Sequence, residues 1–536
     1  MLTAAVRLGG IFRPLVGNFA TKSVMYAMIA RNWVEGRAGI LYPTLDCLRG
    51  GERSLHMLEF SVSAYLTGGL WSLFGGSLDV WGRATAVAFS VASVAFLALM
   101  VRRWHGPSAG LGAGLVLALS PVSIIYGQNF MLDASLVFFS VATFYGLDRW
   151  LHGGRVAWLL AASLALALLL LTKVYMLVLV LPLGVMVVFH GRLACLGSGL
   201  GVCQARNAGW GDGRGDGWGD GWGDGRGATG VSPVLPKKHG QDTRGTRQNS
   251  LDRPPERSRR TVYALALAAA ALAVLPAALW CVHALRTSAP GSPYAEHIYS
   301  SLQRNAGSYR PPDPLLRTPD FYRQLLDDLT GVILTPVGFM LLMAGFLDTK
   351  WRRHAAWLLA MAILVAALPR KFYDMNYYYM AVLPPLCVVA GLGWQVVSER
   401  LRPGRAATAG LLVVALVLSL RYAVKPAFVT PEEDRAVVAA GRAVQELTAA
   451  EEPVLTMHGA TIDLLYYANR PGWAIEPDTP ELESVLEQCR RQGAQYLVAA
   501  GPEATLDEAE ARHARTPLVR GDGFRIYRLA PPRGSH

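Results

Sequence analysis

The sequence predicts a polytopic α-helical membrane protein carrying a small α/β domain at its C-terminal end. Three observations carry this reading. Of the 536 residues, 52% are hydrophobic and only 17% charged, against about 25% charged in soluble domains, and the mean hydropathy is +0.28. Apolar runs of helical length recur between residues 84 and 420. After residue 426 the pattern changes to short stretches with alternating helix and strand character.

Residues 1–83 read as an N-terminal segment and first extracytoplasmic loop. Residues 1–20 are too broken by Gly, Arg7 and Arg13 to make a signal-peptide core, so the first helix reads as truncated, with 1–15 as a poor inserting helix in the alternative. Residues 24–33 predict an amphipathic surface helix, and 59–74 a short aromatic segment lying along the membrane. Residues 84–190 hold spanning candidates at 84–101, 111–125, 134–147, 157–171 and 175–189. Residues 261–425 hold more at 262–282, 331–346, 355–368, 379–397 and 406–420, with an extracytoplasmic loop at 286–330. Several are shorter than the about 20 residues of a full crossing, and the two that flank Lys173 read as short or re-entrant.

Between these blocks, residues 191–260 break the apolar pattern with Trp210-Gly-Asp-Gly and three further tetrapeptides of the same form. Such Gly-rich repeats cannot bury enough surface to offset ordering entropy, so a disordered cytoplasmic loop is expected. The repeated Asp residues lack the spacing of calcium loops. The tail, 426–536, predicts helices at 435–449 and 482–492 and strands at 453–457, 496–500 and 524–528, an extracytoplasmic α/β domain.

The net charge is +12. Much of it falls in alternate loops, at Arg102-Arg103, Arg149 with Arg155, Arg192, Lys350 with Arg352-Arg353, and Arg400, Arg402 and Arg405. The positive-inside rule places these in the cytoplasm. Asp46, Glu59, Asp133, residues 370–379 and the tail then share the opposite, extracytoplasmic face. No basic–aromatic module for nucleic acid is present, and the six cysteines are scattered without a CxxC.

That face collects the residues able to do chemistry. Asp133 closes Tyr126-Gly-Gln-Asn-Phe-Met-Leu-Asp133 at the junction of two apolar runs. There it either caps the following helix or serves a site, since a carboxylate at such a boundary must be solvated, paired or used. Asp46 and Glu59 are further candidates for a base that activates a hydroxyl acceptor, with loop solvation as the alternative. Lys173, Arg310, Arg370 and Lys371 are candidates to take up the charge of a lipid-phosphate leaving group, with snorkelling the alternative for Lys173. Asn376, Tyr377 and Tyr378 read as an interfacial aromatic belt or as the wall of a sugar or polyprenyl site. His56, His297 and His458 show no metal-ligand spacing and read as surface residues.

In this order the chain resembles the GT-C fold glycosyltransferases that use polyprenyl-phosphate sugars, the superfamily of protein O-mannosyltransferases and aminoarabinose transferases. The carriers are Tyr26-Ala-Met-Ile-Ala-Arg-Asn32, Leu41-Tyr-Pro43 with Asp46, Glu59-Phe60, Phe74-Gly75 with Arg83, Pro121, Tyr126, Phe130-Met-Leu-Asp133, Leu171-Thr-Lys173, Asn376-Tyr-Tyr378 with Pro384-Pro385, and Tyr466-Tyr-Ala-Asn-Arg470 with Gly472-Trp473. The resemblance implies a GT-C-like bundle, a polyprenyl-phosphate-linked donor, an extracytoplasmic site, inversion at the anomeric carbon, and acids in the first and second loops. Asp133 matches the second-loop acid. The first-loop acid, expected just before Tyr26, is missing, for Phe19-Ala-Thr-Lys-Ser-Val24 stands there. Asp46 or Glu59 must supply the base, or the protein is impaired or inactive. Asn376 likewise stands where the family has a basic residue or histidine.

The expected function is therefore sugar transfer from a polyprenyl-phosphate lipid to a lipid, glycan or protein acceptor in the periplasm, by a bacterial inner-membrane enzyme. The rivals are a non-catalytic polyprenyl-lipid binder and a lipid-linked sugar transporter. The donor lipid is a substrate, no resident cofactor is implied, and the motifs do not decide for or against a divalent metal.

Overall fold

The computed structural model describes residues 2–17, 20–189, 259–299, 313–401, 404–459, 461–476, 481–502, 506–507 and 516–530. The Gly-rich insertion lies outside them, apart from its last two residues, and so does Arg310. Every expected span falls on helix. In chain order the helices are α4 (Leu78–His105), α5 (Pro107–Leu119) with α6 (Pro121–Tyr126), α7 (Asp133–Gly153), α8 (Val156–Thr172), a 3-10 turn (Val174–Leu179) leading into α9 (Val180–Val188), and α10 (Arg259–Thr287). Then follow α11 (Pro319–Asp328), which lies in the segment expected to be loop, α12 (Thr335–Phe346), α13 (Ala355–Ala367), the short α14 (Pro369–Asp374), which no expected span covers, α15 (Tyr379–Val396) and α16 (Arg405–Phe428).

By length and composition, four helices among the described residues can cross a membrane: Leu78–His105, Arg259–Thr287, Asn376–Arg400 and Ala406–Ala423. A bent pair, Pro319–Ile333 with Thr335–Phe346, makes a fifth. The remaining apolar helices are shorter, and two of the expected spans are not single rods. Run 111–125 breaks at Ser120, whose hydroxyl accepts from the Ser123 amide at 3.4 Å while Pro121 opens the next helix. Run 331–346 is only the second limb of the pair, which bends by 107° at Thr335. Thr335 holds a φ of 62°, a strained setting for a β-branched residue, ahead of Pro336.

Small residues let the bundle close. A Cβ at Gly393 of α15 would strike the Leu341 carbonyl, and one at Gly345 of α12 the Val389 carbonyl. Backbones in close contact without intervening side chains are how apolar helices associate where lipid supplies no hydrophobic contrast.

The tail forms α17 (Glu432–Leu447), β3 (Val454–Met457), α18 (Asp463–Ala468), β4 (Gly472–Ile475), α19 (Leu482–Arg491), β5 (Tyr496–Ala500), β6 (Val519–Gly521) and β7 (Phe524–Arg528). The expected strands and helices are all present, and β4 and β6 are added. The sheet has seven strands, ordered β2-β1-β4-β3-β5-β7-β6, because a hairpin from the N-terminal segment joins it. That hairpin is β1 (Thr44–Arg49) and β2 (Glu52–Leu55), and β1 meets β4 in parallel at Cys47 and Gly472.

The N-terminal helix departs from its expected amphipathic surface setting. In α2 (Ala20–Val34) every residue from Ser23 to Asn32 is buried. Its apolar residues share one core with Val437 and Ala440 of α17, Val498 of β5 and Ile526 of β7. Its polar residues turn inward, with Arg31 paired to Asp46 and the Asn32 amide donating to the same carboxylate. Before it, α1 (Leu2–Leu8) is seven residues long. There Arg7 is fully buried and donates to the Ala118 carbonyl at 3.1 Å and to the Ser123 hydroxyl at 2.8 Å.

A latch joins tail and bundle. Asp79, in the first turn of α4, accepts from the Tyr466 hydroxyl at 2.6 Å and the Tyr467 hydroxyl at 2.8 Å. Arg31 of α2 donates to the Tyr466 carbonyl at 2.9 Å and lies over its ring.

Candidate active site

Loop, helix end and helix start converge at one end of the bundle. The loop after β2 is set against α8 by a bond from the Phe60 amide to the Leu171 carbonyl, 3.1 Å. This brings Glu59 to Lys173, the residue that ends α8, with Nζ 3.3 Å from Oε1. The same Oε1 accepts from the Tyr26 hydroxyl of α2 and lies 3.6 Å from His56 Nε2. Glu59 is buried, and burial opposes its charge. Lys173 and Lys22, with His56, nonetheless hold its carboxyl well below the usual carboxylate range. It is a fixed anion.

His56 is not a surface residue. It is 1% exposed, burial pushes its imidazole below the ordinary value, and neither ring nitrogen has a hydrogen-bond partner among the described residues. The loop that carries it is drawn inward by Leu55 and Met57, which pack with Trp280 and Ala284 of α10.

Asp133 begins α7 and is buried. The cap position falls on Leu132, and no side chain caps the helix, so of the two alternatives Asp133 does not act as the cap. Its electrostatic neighbours are Lys173, Glu59 and Lys22. The helix N-terminus beside it favours an anion.

The aromatic wall forms as the 3-10 turn Asn376–Tyr378 turns its rings inward. Tyr378 stacks on Tyr175 at 5.6 Å between centroids, Tyr377 lies 4.9 Å from Tyr378, and Tyr126 meets Tyr377 edge-on at 5.9 Å. Asn376 accepts from the Tyr126 hydroxyl, so its amide oxygen is engaged within the protein. Lys371 shares the field of Lys22. Arg370 is instead paired with Asp313 at 2.7 Å.

Asp46 stands apart. It is fully buried and receives Arg31 at 2.7 Å, Arg53 at 3.2 Å and the Asn32 amide at 3.2 Å. Arg53 continues to Glu451 at 2.9 Å. This network ties α2 and the hairpin to the tail. The structure thus gathers Asp133, Glu59, Lys173, Lys371, Asn376, Tyr377 and Tyr378, and leaves Asp46 with its own arginines. It adds Lys22, Tyr26, Tyr126, His56 and Tyr175. Lys22 and Tyr26 stand one helical turn apart, a spacing that puts both on one face, and this signal was present in the sequence. The burial of His56 has no local signature. Among the described residues, no three His, Cys, Asp or Glu side chains are arranged to hold a metal ion.

Residues 61–199 match the family model of dolichyl-phosphate-mannose-protein mannosyltransferases. No curated protein sequence matches the chain. Among solved structures, ArnT from Cupriavidus metallidurans bound to undecaprenyl phosphate is similar over 98% of this chain and 96% of that one, with a TM-score of 0.59 at 14% identity. The oligosaccharyltransferase of Archaeoglobus fulgidus in its apo form is similar over 93% of this chain and 68% of that one, with a TM-score of 0.52 at 14% identity. The resemblance drawn from the motifs is borne out in the fold: the chain is a multi-pass helical membrane protein that shares the fold of ArnT, and its residues 61–199 match the dolichyl-phosphate-mannose-protein mannosyltransferase model.

Proposed function

We propose that the protein is a membrane glycosyltransferase that moves a sugar from a polyprenyl-phosphate carrier to a hydroxyl of a lipid, glycan or protein acceptor, with inversion. The site would face the periplasm of a bacterial inner membrane. The observation that carries this is the meeting of Glu59, Asp133, Lys173 and a tyrosine wall at one end of an apolar bundle. The undecaprenyl phosphate bound by the similar ArnT supports the choice of carrier.

Glu59 already holds Lys173 and Tyr26, and Asp46 holds Arg31 and Arg53. Proton acceptance then falls to Asp133. The acceptor oxygen forms its bond to the anomeric carbon and gives its proton to the Asp133 carboxylate. The bond from the anomeric carbon to the carrier oxygen breaks, and its electron pair stays on the phosphate. Lys173, oriented by Glu59, and Lys371 take up that charge. Tyr377 and Tyr378 wall the sugar or the first prenyl units.

The test is sugar transfer from a polyprenyl-phosphate-sugar pool by purified protein in liposomes. Asp133→Asn is expected to lower transfer by about a hundredfold or more, and Glu59→Gln to lower it by loosening Lys173. Full transfer by Asp133→Asn would sink the site assignment. One observation favours a second reading, a lipid binder that does not turn over: Lys22 stands in the first-loop segment where the resemblance leads one to expect an acid. Carrier binding by wild type, with no transfer from any donor, would establish that reading instead.

A further inference from the structure

We propose that Lys22 is an anion-binding residue of this site and that, with Lys173 and Lys371, it holds the phosphate of the polyprenyl carrier. The inference rests on the carrier reading above and adds a residue which that reading does not use.

Lys22 lies in the first turn of α2, four residues before Tyr26, whose hydroxyl is fixed on Glu59. Residues so spaced share a helix face, so Lys22 and Tyr26 leave α2 on the same side. Its electrostatic neighbours are Glu59, Lys173, Asp133 and Lys371, members of the cluster already described. Among the described residues Lys22 makes no ion pair within 4 Å, whereas Lys173 has Glu59 at 3.3 Å. Two further observations also point to a missing ligand. Among the described residues, His56 Nδ1 and the Tyr175 hydroxyl are buried without a hydrogen-bond partner, a costly state for polar groups unless something completes them.

The charges decide what that ligand is. Three ammonium groups face two carboxylates, so 3 − 2 leaves a net charge of +1. A phosphodiester monoanion neutralises it. With a neutral residue at position 22 the same count is 2 − 2, or zero, so the lysine supplies the net positive charge of the pocket. When the sugar departs, the electron pair of the broken bond stays on the carrier oxygen and the diester becomes a monoester with up to two negative charges. Lys22 acts most strongly on that product, since hydrogen bonds to ionised groups are the strong ones.

The experiment compares undecaprenyl phosphate with undecaprenol, the same tail without the charge. Both are titrated against the full chain in nanodiscs of neutral phosphatidylcholine. Wild type should prefer the phosphate. Lys22→Gln should weaken phosphate binding by about ten- to a hundredfold, the scale of one lost charged hydrogen bond, and leave undecaprenol unchanged. Lys22→Arg should stay within about threefold of wild type, since a single phosphate contact accepts either cation. Unchanged alcohol binding shows that the fold survives, and Lys22→Met replaces Lys22→Gln if the amide unfolds the protein. Wild-type preference for the phosphate that persists in Lys22→Gln, or equal losses for phosphate and alcohol, overturns the inference alone. No preference in wild type overturns the carrier reading and this inference with it.

Discussion

Two buried carboxylates in this chain have opposite settings. Asp46 is saturated by Arg31, Arg53 and Asn32 and sits where helix, hairpin and tail meet. Asp133 has no ion-pair partner within 4 Å among the described residues and lies beside an aromatic wall. The difference separates structure from chemistry. Removing one member of a buried ion pair strands the other charge, at a cost of about 3–5 kcal/mol. Asp46→Asn is therefore expected to lower the thermal midpoint in detergent by several degrees while the folded fraction keeps its ability to bind carrier. A midpoint unchanged from wild type would show that the Arg31 and Arg53 contacts carry no net energy. The sequence offered Asp46, Glu59 and Asp133 as equals, because nothing near them in the chain announces that Arg31 and Arg53 converge on one and Lys173 on another.

At the scale of elements, the apolar runs specify helices, and local chemistry specifies where the helices break. Ser120-Pro121 splits one run, and Leu334-Thr335-Pro336 bends another by 107°. What holds the pieces together is the contact of α12 with α15, made through Gly345 and Gly393. A Leu at Gly393 would have to displace the Leu341 backbone. Overpacking of this kind costs about 1–3 kcal/mol or more, so Gly393→Leu should unfold at a lower temperature than wild type, and Gly410→Leu should not. A Cβ at Gly410 of α16 meets nothing within 4 Å. Equal midpoints for the two variants would show that α12 and α15 can separate without loss. The glycines were visible in the sequence, but their partners were not, since Gly393 and Leu341 are brought together only by the bend.

For the whole molecule, the tail is part of the site's support. The first-loop hairpin extends its sheet, α2 enters its core, and Tyr466 and Tyr467 converge on Asp79 of α4. Two hydroxyls on one carboxylate are worth about 1.5–3 kcal/mol each. Asp79→Ala is expected to raise amide exchange across α18 and β4 at least tenfold while exchange in α15 stays as in wild type. Protection of α18 and β4 that is unchanged in Asp79→Ala would mean that the sheet and the α2 core hold the tail unaided. The sequence by itself determined the membrane class, the long apolar helices between α4 and α16, three strands of the tail and the residues able to do chemistry, because hydropathy, periodicity and residue type are local quantities. Only the tertiary structure decided that α2 is buried, that the hairpin belongs to the tail's sheet, and that Lys22, His56 and Glu59 meet Asp133 and Lys173. These depend on contacts between segments tens to hundreds of residues apart, and the free energy that selects such contacts comes from burial and ion pairing, which no single segment can express alone.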